Sequence, residues 1–325
     1  MNPIPLLGPS EFLARLDGRR PSYHRQYYAM YSSHAGGIVT DPGLMVIPAD
    51  DHLAHRGDGV FETLKVVAGA LYNLGAHLQR LRASAERIRL ALPWPDADLA
   101  DRLVQTVRAG GRREGLVRIL VSRGPGGFGI SPAECPEPGL YIVVYAYAGS
   151  FMTLHPGGAR ARRSAIPARS PPFSGLKSVN YLPNVLMKME ALDAGVDFVL
   201  SFDPRGCLAE GATENAGVVT RRGVLQVPRP DFILPGTTMH RVMALARDLV
   251  ADGLLAGVEE ADIPGPAVQD AAEVLLFGTT PDVTAVVEFD GRPVGDGKPG
   301  PVCRALGARL TEDILHNAAL RTPVF

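Results

Sequence analysis

Lysine is scarce in this 325-residue chain. Of 33 basic side chains only Lys65, Lys177, Lys188 and Lys298 are lysines; the others are arginine. Cysteine is scarcer: Cys135, Cys207 and Cys303 lie far apart and are odd in number. That excludes a full disulfide framework and makes a reducing compartment the simpler expectation. Charge of either sign is not in excess, and a net −1 gives no footprint for nucleic acid or for a membrane surface. No apolar run approaches the ~20 residues of a membrane span. The start carries Pro3, Pro5, Pro9 and Glu11 instead of the basic-then-apolar order of a signal peptide, so a cytoplasmic protein is expected. No His/Cys/Asp/Glu group has metal-ligand spacing, and neither a Gly-x-Ser-x-Gly elbow nor a Gly-Lys-Ser phosphate loop occurs.

What is present is an ordinary globular composition, 46% hydrophobic and 21% charged, in a chain long enough for two domains. Residues 1–22 read as an arm, partly helical over 10–16. Residues 23–148 combine strands at 26–33, 60–67, 117–122 and 140–147 with amphipathic helices at 77–90 and 96–109. The composition shifts over 149–158, which reads as a linker. Residues 159–325 carry short strands near 160–166, 198–202, 208–210, 216–220, 224–227, 274–277 and 283–289. Helices are expected there over 182–194, with Pro183 tolerated in the first turn, and over 237–251 and 302–316. The fold class expected is α+β, mixed α/β, in two halves.

Lys177 ends an extended segment directly before the proline-opened helix. Unlike arginine, lysine can lose its proton and attack a carbonyl. With an ordinary pKa near ~10.4 it needs burial or a neighbouring positive charge to do so; otherwise it is a surface lysine. Pro235-Gly236-Thr237-Thr238 opens a helix with a glycine and two hydroxyls, either a phosphate-binding helix start or a plain Thr cap. Gly278-Thr279-Thr280 follows a buried strand, and is either a second corner of the same anion pocket or a structural turn. Glu210, among small residues, would hold a pyridine nitrogen protonated through a bond worth roughly 1.5–3 kcal/mol, or stand as a hairpin-edge acid in water. Arg80, one turn from His77, is placed to reach a phosphate bidentately; His77 itself reads as packed or capping. Together these features point to an anionic aldehyde cofactor.

The motifs also have a familiar order. Arg56-Gly57-Asp58-Gly59-Val60-Phe61-Glu62, His77-Leu78-Gln79-Arg80-Leu81, Lys177 with Asn180-Tyr181-Leu182, Glu210 through Asn215, Leu234-Pro235-Gly236-Thr237-Thr238 and Gly278-Thr279 follow one another along the chain. Over about residues 27–318 the chain resembles the class IV, fold-type IV pyridoxal-phosphate aminotransferases. Its wording is closest to the branch of the D-amino acid aminotransferases and aminodeoxychorismate lyase. The resemblance implies a small N-terminal α/β domain, a larger C-terminal pseudo-barrel domain, and a homodimer with pyridoxal 5'-phosphate at the domain interface. It implies that Lys177 holds the cofactor as an imine and then moves the substrate's Cα proton. It further implies Glu210 on the ring nitrogen, Tyr181 at the phenolic oxygen, and Arg80, Thr237, Thr238 and Thr279 on the phosphate.

For the substrate the resemblance divides. Arg123 falls where D-amino acid aminotransferases place an arginine for the substrate carboxylate, yet Phe61 stands where they usually have a tyrosine. Thr63 matches a catalytic threonine of the lyases, and the loop over 122–129 resembles theirs, with Phe128 in place of an arginine. Arg118 is a second carboxylate candidate. The expectation is a transaminase that passes the amino group of a small amino acid, of D or mixed handedness, to a 2-oxo acid by a ping-pong cycle. The alternatives are the lyase, a branched-chain or (R)-amine transaminase, and a phosphate-ligand-binding protein on the same fold.

Overall fold

The computed structural model describes residues 3–325; the first two residues of the expected arm lie outside them. The arm's helix is Pro9–Gly18, with Pro9 at a position whose N–H would have no partner in any case.

Residues of the first half form an antiparallel sheet of seven strands. Its order is Arg321–Pro323, Ala70–Tyr72, Gly59–Val67, Gly115–Ser122, Gly139–Tyr145, Tyr27–Ser32 and Gly37–Val39. Strand periodicity decides which side chains meet the core. In Gly59–Val67, Val60, Leu64 and Val66 pack beneath the helices Leu74–Arg87 and Asp96–Gly110 with Leu78, Leu81 and Leu103. Phe61, Thr63 and Lys65 alternate with them and look toward the second half. The edge strand Arg321–Pro323 comes from the opposite end of the chain; three residues ending in proline give no local strand signal.

The second half builds a nine-stranded sheet. Pairing of Asn215 with Glu210 closes six of its strands into a pseudo-barrel. The strand Glu273–Gly278 is central and covered on both faces, which is why it reads as a continuous apolar run. Val274 and Leu276 enter the barrel core with Leu200, Phe202 and Phe289, whereas Leu275 and Phe277 meet the helices Thr237–Ala251 and Pro301–His316. The strand Gly257–Ala261 carries no sequence signal: its Gly-Val-Glu-Glu-Ala wording lacks alternation, and it forms by parallel pairing with Val224–Pro228. Within the stretch read as a linker stands one helical turn, Phe151–Leu154, capped by Ser150.

Among the described residues no helix is long and apolar enough to cross a membrane. No three His, Cys, Asp or Glu side chains among them are grouped to hold a metal ion.

Candidate active site

A cavity of about 580 Å³ opens where the two sheets meet. The first sheet contributes Phe61, Thr63 and Arg118, the crossing segment Lys177 and Tyr181, and the second half the two Gly-Thr-Thr corners.

Backbone bonds fix the lysine. Phe61 N–H donates to Lys177 O at 3.0 Å and Val179 N–H to Gly59 O at 3.0 Å, so the segment runs antiparallel along the start of the Gly59–Val67 strand. This register sets Lys177 Nζ 4.5 Å above the Phe61 ring. Tyr181, the residue before the helix Leu182–Asp193, returns its hydroxyl to 3.1 Å from Lys177 Nζ, and its ring meets Phe61 edge-on. No carboxylate pairs with Lys177 among the described residues.

Glu210 is 8% exposed on the strand Leu208–Gly211. It accepts from Leu234 N–H at 2.9 Å and from Arg169 Nη2 at 3.3 Å. Burial pushes its carboxyl above the ordinary range; Arg169, the Leu234 N–H and Lys177 pull it only partly back. Arg169 also donates to Leu176 O and lies over the Tyr181 ring. Sequence reasoning misses it, since one arginine in a Pro-rich loop has no pattern to mark it.

The first threonine corner opens the helix Thr237–Ala251, whose N-terminus carries no side-chain cap. Gly236 is required here by close approach, because a Cβ would run into Asn215 Oδ1. Asn215 in turn donates to Leu234 O at 2.8 Å, which fixes the corner against the barrel. Thr279 and Thr280 form the opposite corner.

Arg80 lines the same cavity and spans both halves. Its Nε and Nη2 donate to the two oxygens of Glu62 at 2.7 and 2.8 Å, and Nη1 donates to Pro235 O at 3.1 Å. Glu62 is 0% exposed. Burial alone would raise its carboxyl, but Arg80 and His77 outweigh burial and hold it at about 2. Burial lowers the pKa of His77, so its neutral ring donates Nδ1–H to Glu62 at 2.7 Å and offers Nε2 to the Thr237 hydroxyl at 3.4 Å. In the sequence Glu62 is only the end of a motif; its role behind Arg80, 18 positions away, is a tertiary fact.

The two candidate carboxylate arginines part company. Arg123 is off the cavity: it forks onto Asp58 at 3.0 Å twice and donates to the carbonyls of Ile88 and Arg89. Arg118 is on the cavity wall, over the rings of Phe61 and Tyr145, with no carboxylate or carbonyl partner among the described residues.

This donor set fits a flat cofactor with an anionic tail. An uncapped helix N-terminus and hydroxyls suit a phosphate, a buried carboxylate suits a protonated ring nitrogen, and an uncommitted amine suits an aldehyde.

Comparison with known proteins agrees. The family described as "Amino-transferase class IV" matches residues 59–289. The D-amino-acid transaminase, chloroplastic, of Arabidopsis thaliana is 39% identical over 312 residues, covering 96% of this chain and 82% of the relative. The D-alanine aminotransferase of Bacillus licheniformis is 30% identical over 287 residues, covering 87% and 97%. Among solved structures, the T.th. branched-chain amino acid aminotransferase complexed with N-(5'-phosphopyridoxyl)-L-glutamate superposes with a TM-score of 0.84 at 26% identity, covering 92% of this chain and 99% of that one. A lysine and two threonine corners around one cavity, in a chain matched along most of its length, make this protein a member of the class IV aminotransferases, enzymes whose cofactor is pyridoxal phosphate.

Proposed function

We propose that the chain is a transaminase for a small amino acid, of D or mixed handedness, with a 2-oxo acid as amino acceptor. The observation that carries this is the Lys177 amine, turned to the cavity without a carboxylate partner and 3.1 Å from Tyr181 Oη. Pyridoxal phosphate, when bound, supplies the electron sink that makes a substrate's Cα proton labile.

In this reading Lys177 Nζ would hold the cofactor and carry the substrate's Cα proton, with Tyr181 Oη orienting it. Glu210 would hold a proton at the ring nitrogen, and Arg169 opposes the burial that would neutralise Glu210. Arg80, Thr237, Thr238 and Thr279 hold the phosphate, aided by the helix dipole. Arg118, its guanidinium uncommitted, takes a substrate or acceptor carboxylate, while Phe61 and Thr63 shape the side-chain pocket. D or mixed preference is supported by the D-amino-acid and D-alanine relatives.

The test is a half-reaction. D-alanine should bleach the yellow holoenzyme, and Lys177→Ala should no longer trap the cofactor covalently on borohydride reduction. Trapping that persists in this variant would remove Lys177 from the role.

A second reading has its own support. Thr63 Oγ1 is buried without a hydrogen-bond partner, a hydroxyl free to move a proton in a lyase that forms pyruvate and 4-aminobenzoate. With D-alanine and 2-oxoglutarate, pyruvate and glutamate formed one for one support transamination; a dedicated lyase makes neither.

We assign the outer face of the helix Leu182–Asp193 to a homodimer contact. Leu182, Val185, Leu186, Met189 and Leu192 are exposed along it, an apolar stripe that isolated monomers rarely leave uncovered. Sedimentation at micromolar concentration should find two chains; a monomer there would rule the contact out.

A further inference from the structure

Lys65 is the one lysine of the first half, and the catalytic reading gives it no task. It is 4% exposed on the face of the Gly59–Val67 strand that also presents Phe61 and Thr63. Its ammonium reaches across to the second half and pairs with Asp282 Oδ1 at 2.5 Å. Burying an ion pair is costly unless the geometry is good and the remaining donors are satisfied, so such a pair asks for a reason.

Asp282 closes the turn that begins at Gly278. Its φ of 56° lies in the left-handed region, where aspartate is tolerated in tight turns. Two further contacts reach the same turn from outside the cavity. Tyr147 donates its hydroxyl to Thr280 O at 3.1 Å, and its ring lies 4.8 Å from the Lys65 ammonium. Thr284 donates to Pro281 O at 2.9 Å. Lys65, His77, Thr238, Thr279 and Asp282 line one narrow recess with room for about a single water. The threonine corners and this cluster therefore border the same recess.

We propose that Lys65 and Asp282 are positioning residues: bonded across the two halves, they set the Gly278–Asp282 turn so that Thr279 and its backbone face the cofactor's phosphate. This rests on the reading that the threonine corners hold that phosphate. The strand Gly59–Val67 then governs both sides of the anion site, through Glu62 and Arg80 on one face and through Lys65 and Asp282 on the other. The ammonium acts by holding a turn; its charge is matched by Asp282, so it does not serve as a second cation for the anion.

The experiment compares binding of pyridoxal phosphate and of pyridoxal to apo-protein, by quenching of Trp94 fluorescence, in wild type, Lys65→Met, Asp282→Asn and the double variant. Thermal midpoints of the apo-proteins are measured alongside. Each variant is expected to bind pyridoxal phosphate about tenfold more weakly or worse, the scale of a lost charged hydrogen bond, with pyridoxal affinity unchanged. The double variant should recover the apo midpoint lost by either single one, having no unpaired charge, without recovering phosphate selectivity. Equal weakening toward both ligands would make the pair merely structural, and unaltered selectivity would overturn the proposal outright. If the wild-type protein itself does not prefer the phosphorylated ligand, the phosphate reading of the threonine corners fails, a result separable from failure of the pair. Should Lys65→Met not fold, Asp282→Asn carries the same comparison.

Discussion

Two buried glutamates at the site are driven in opposite directions, and each yields a prediction. Glu62, clasped by Arg80 and His77, is held at about 2 against an ordinary 4.5. A carboxyl lowered on folding contributes stability that is present above its unfolded value and lost as pH falls through the folded one, here roughly 3 kcal/mol between those limits. Urea denaturation should find Glu62→Gln well below wild type at pH 7, with the gap closing as pH falls below 4.5. A gap independent of pH would mean the ion pair is not its source. Glu210 is raised instead, so its ionised form is disfavoured by the fold, and stability falls as pH rises from the unfolded value through the folded one. Glu210→Gln should leave the apo-protein's thermal midpoint at pH 7 equal or higher while lowering kcat about 10²-fold or more, a cost of function placed in a polar group that the core does not need. A destabilised but active variant would contradict that reading.

At the scale of the element, the helix Thr237–Ala251 depends on how close its first turn can approach the barrel. In Gly236→Ala the new Cβ would displace the Asn215 side chain and break its bond to Leu234 O. The expected result is an apo-protein weakened by about 1–3 kcal/mol, the usual size of overpacking, with cofactor affinity down by more than the stability loss alone would give. Equilibrium denaturation and cofactor titration on one preparation compare the two.

Most elements of this kind are legible in the sequence. The helix over 237–251 matches its observed bounds, and the strand over 198–202 likewise, because local periodicity and a glycine or turn signal mark both ends. The strand Gly257–Ala261 and the edge strand Arg321–Pro323 are not legible, since each exists only through a partner distant in sequence. The same divide runs through the site. Residues on motif positions are visible, whereas the clasp of Glu62 on Arg80, the approach of Arg169 to Glu210 and the commitment of Arg123 to Asp58 are set by packing between segments.

Over the whole molecule, the site is a seam: Arg80, Phe61 and Arg118 come from one half, Glu210 and the threonine corners from the other. A ligand that grips both should stabilise both. At a hundredfold excess over Kd the linkage is roughly 2.7 kcal/mol. Trp94 packs against the first core, and Cys303, buried in the second with its thiol pushed up to about 12 by burial and Glu273, reports the other half. Pyridoxal phosphate should raise the midpoint of Trp94 emission and the onset of Cys303 labelling together. A shift in only one would place the grip within a single half.

The pairing of Asn215 with Glu210 that shuts the barrel has a last implication. In the proposed binding mode Glu210 would address one end of the flat cofactor and Asn215, behind Gly236, would support the other, so the span between them is measured out by main-chain bonding, as on a ruler. Side-chain replacement can hardly alter that length. Phe61, Thr63 and Arg118 belong to the opposite sheet, and exchanges at these three leave the ruler untouched, so one grip can be inherited unchanged while the molecules it is offered diversify.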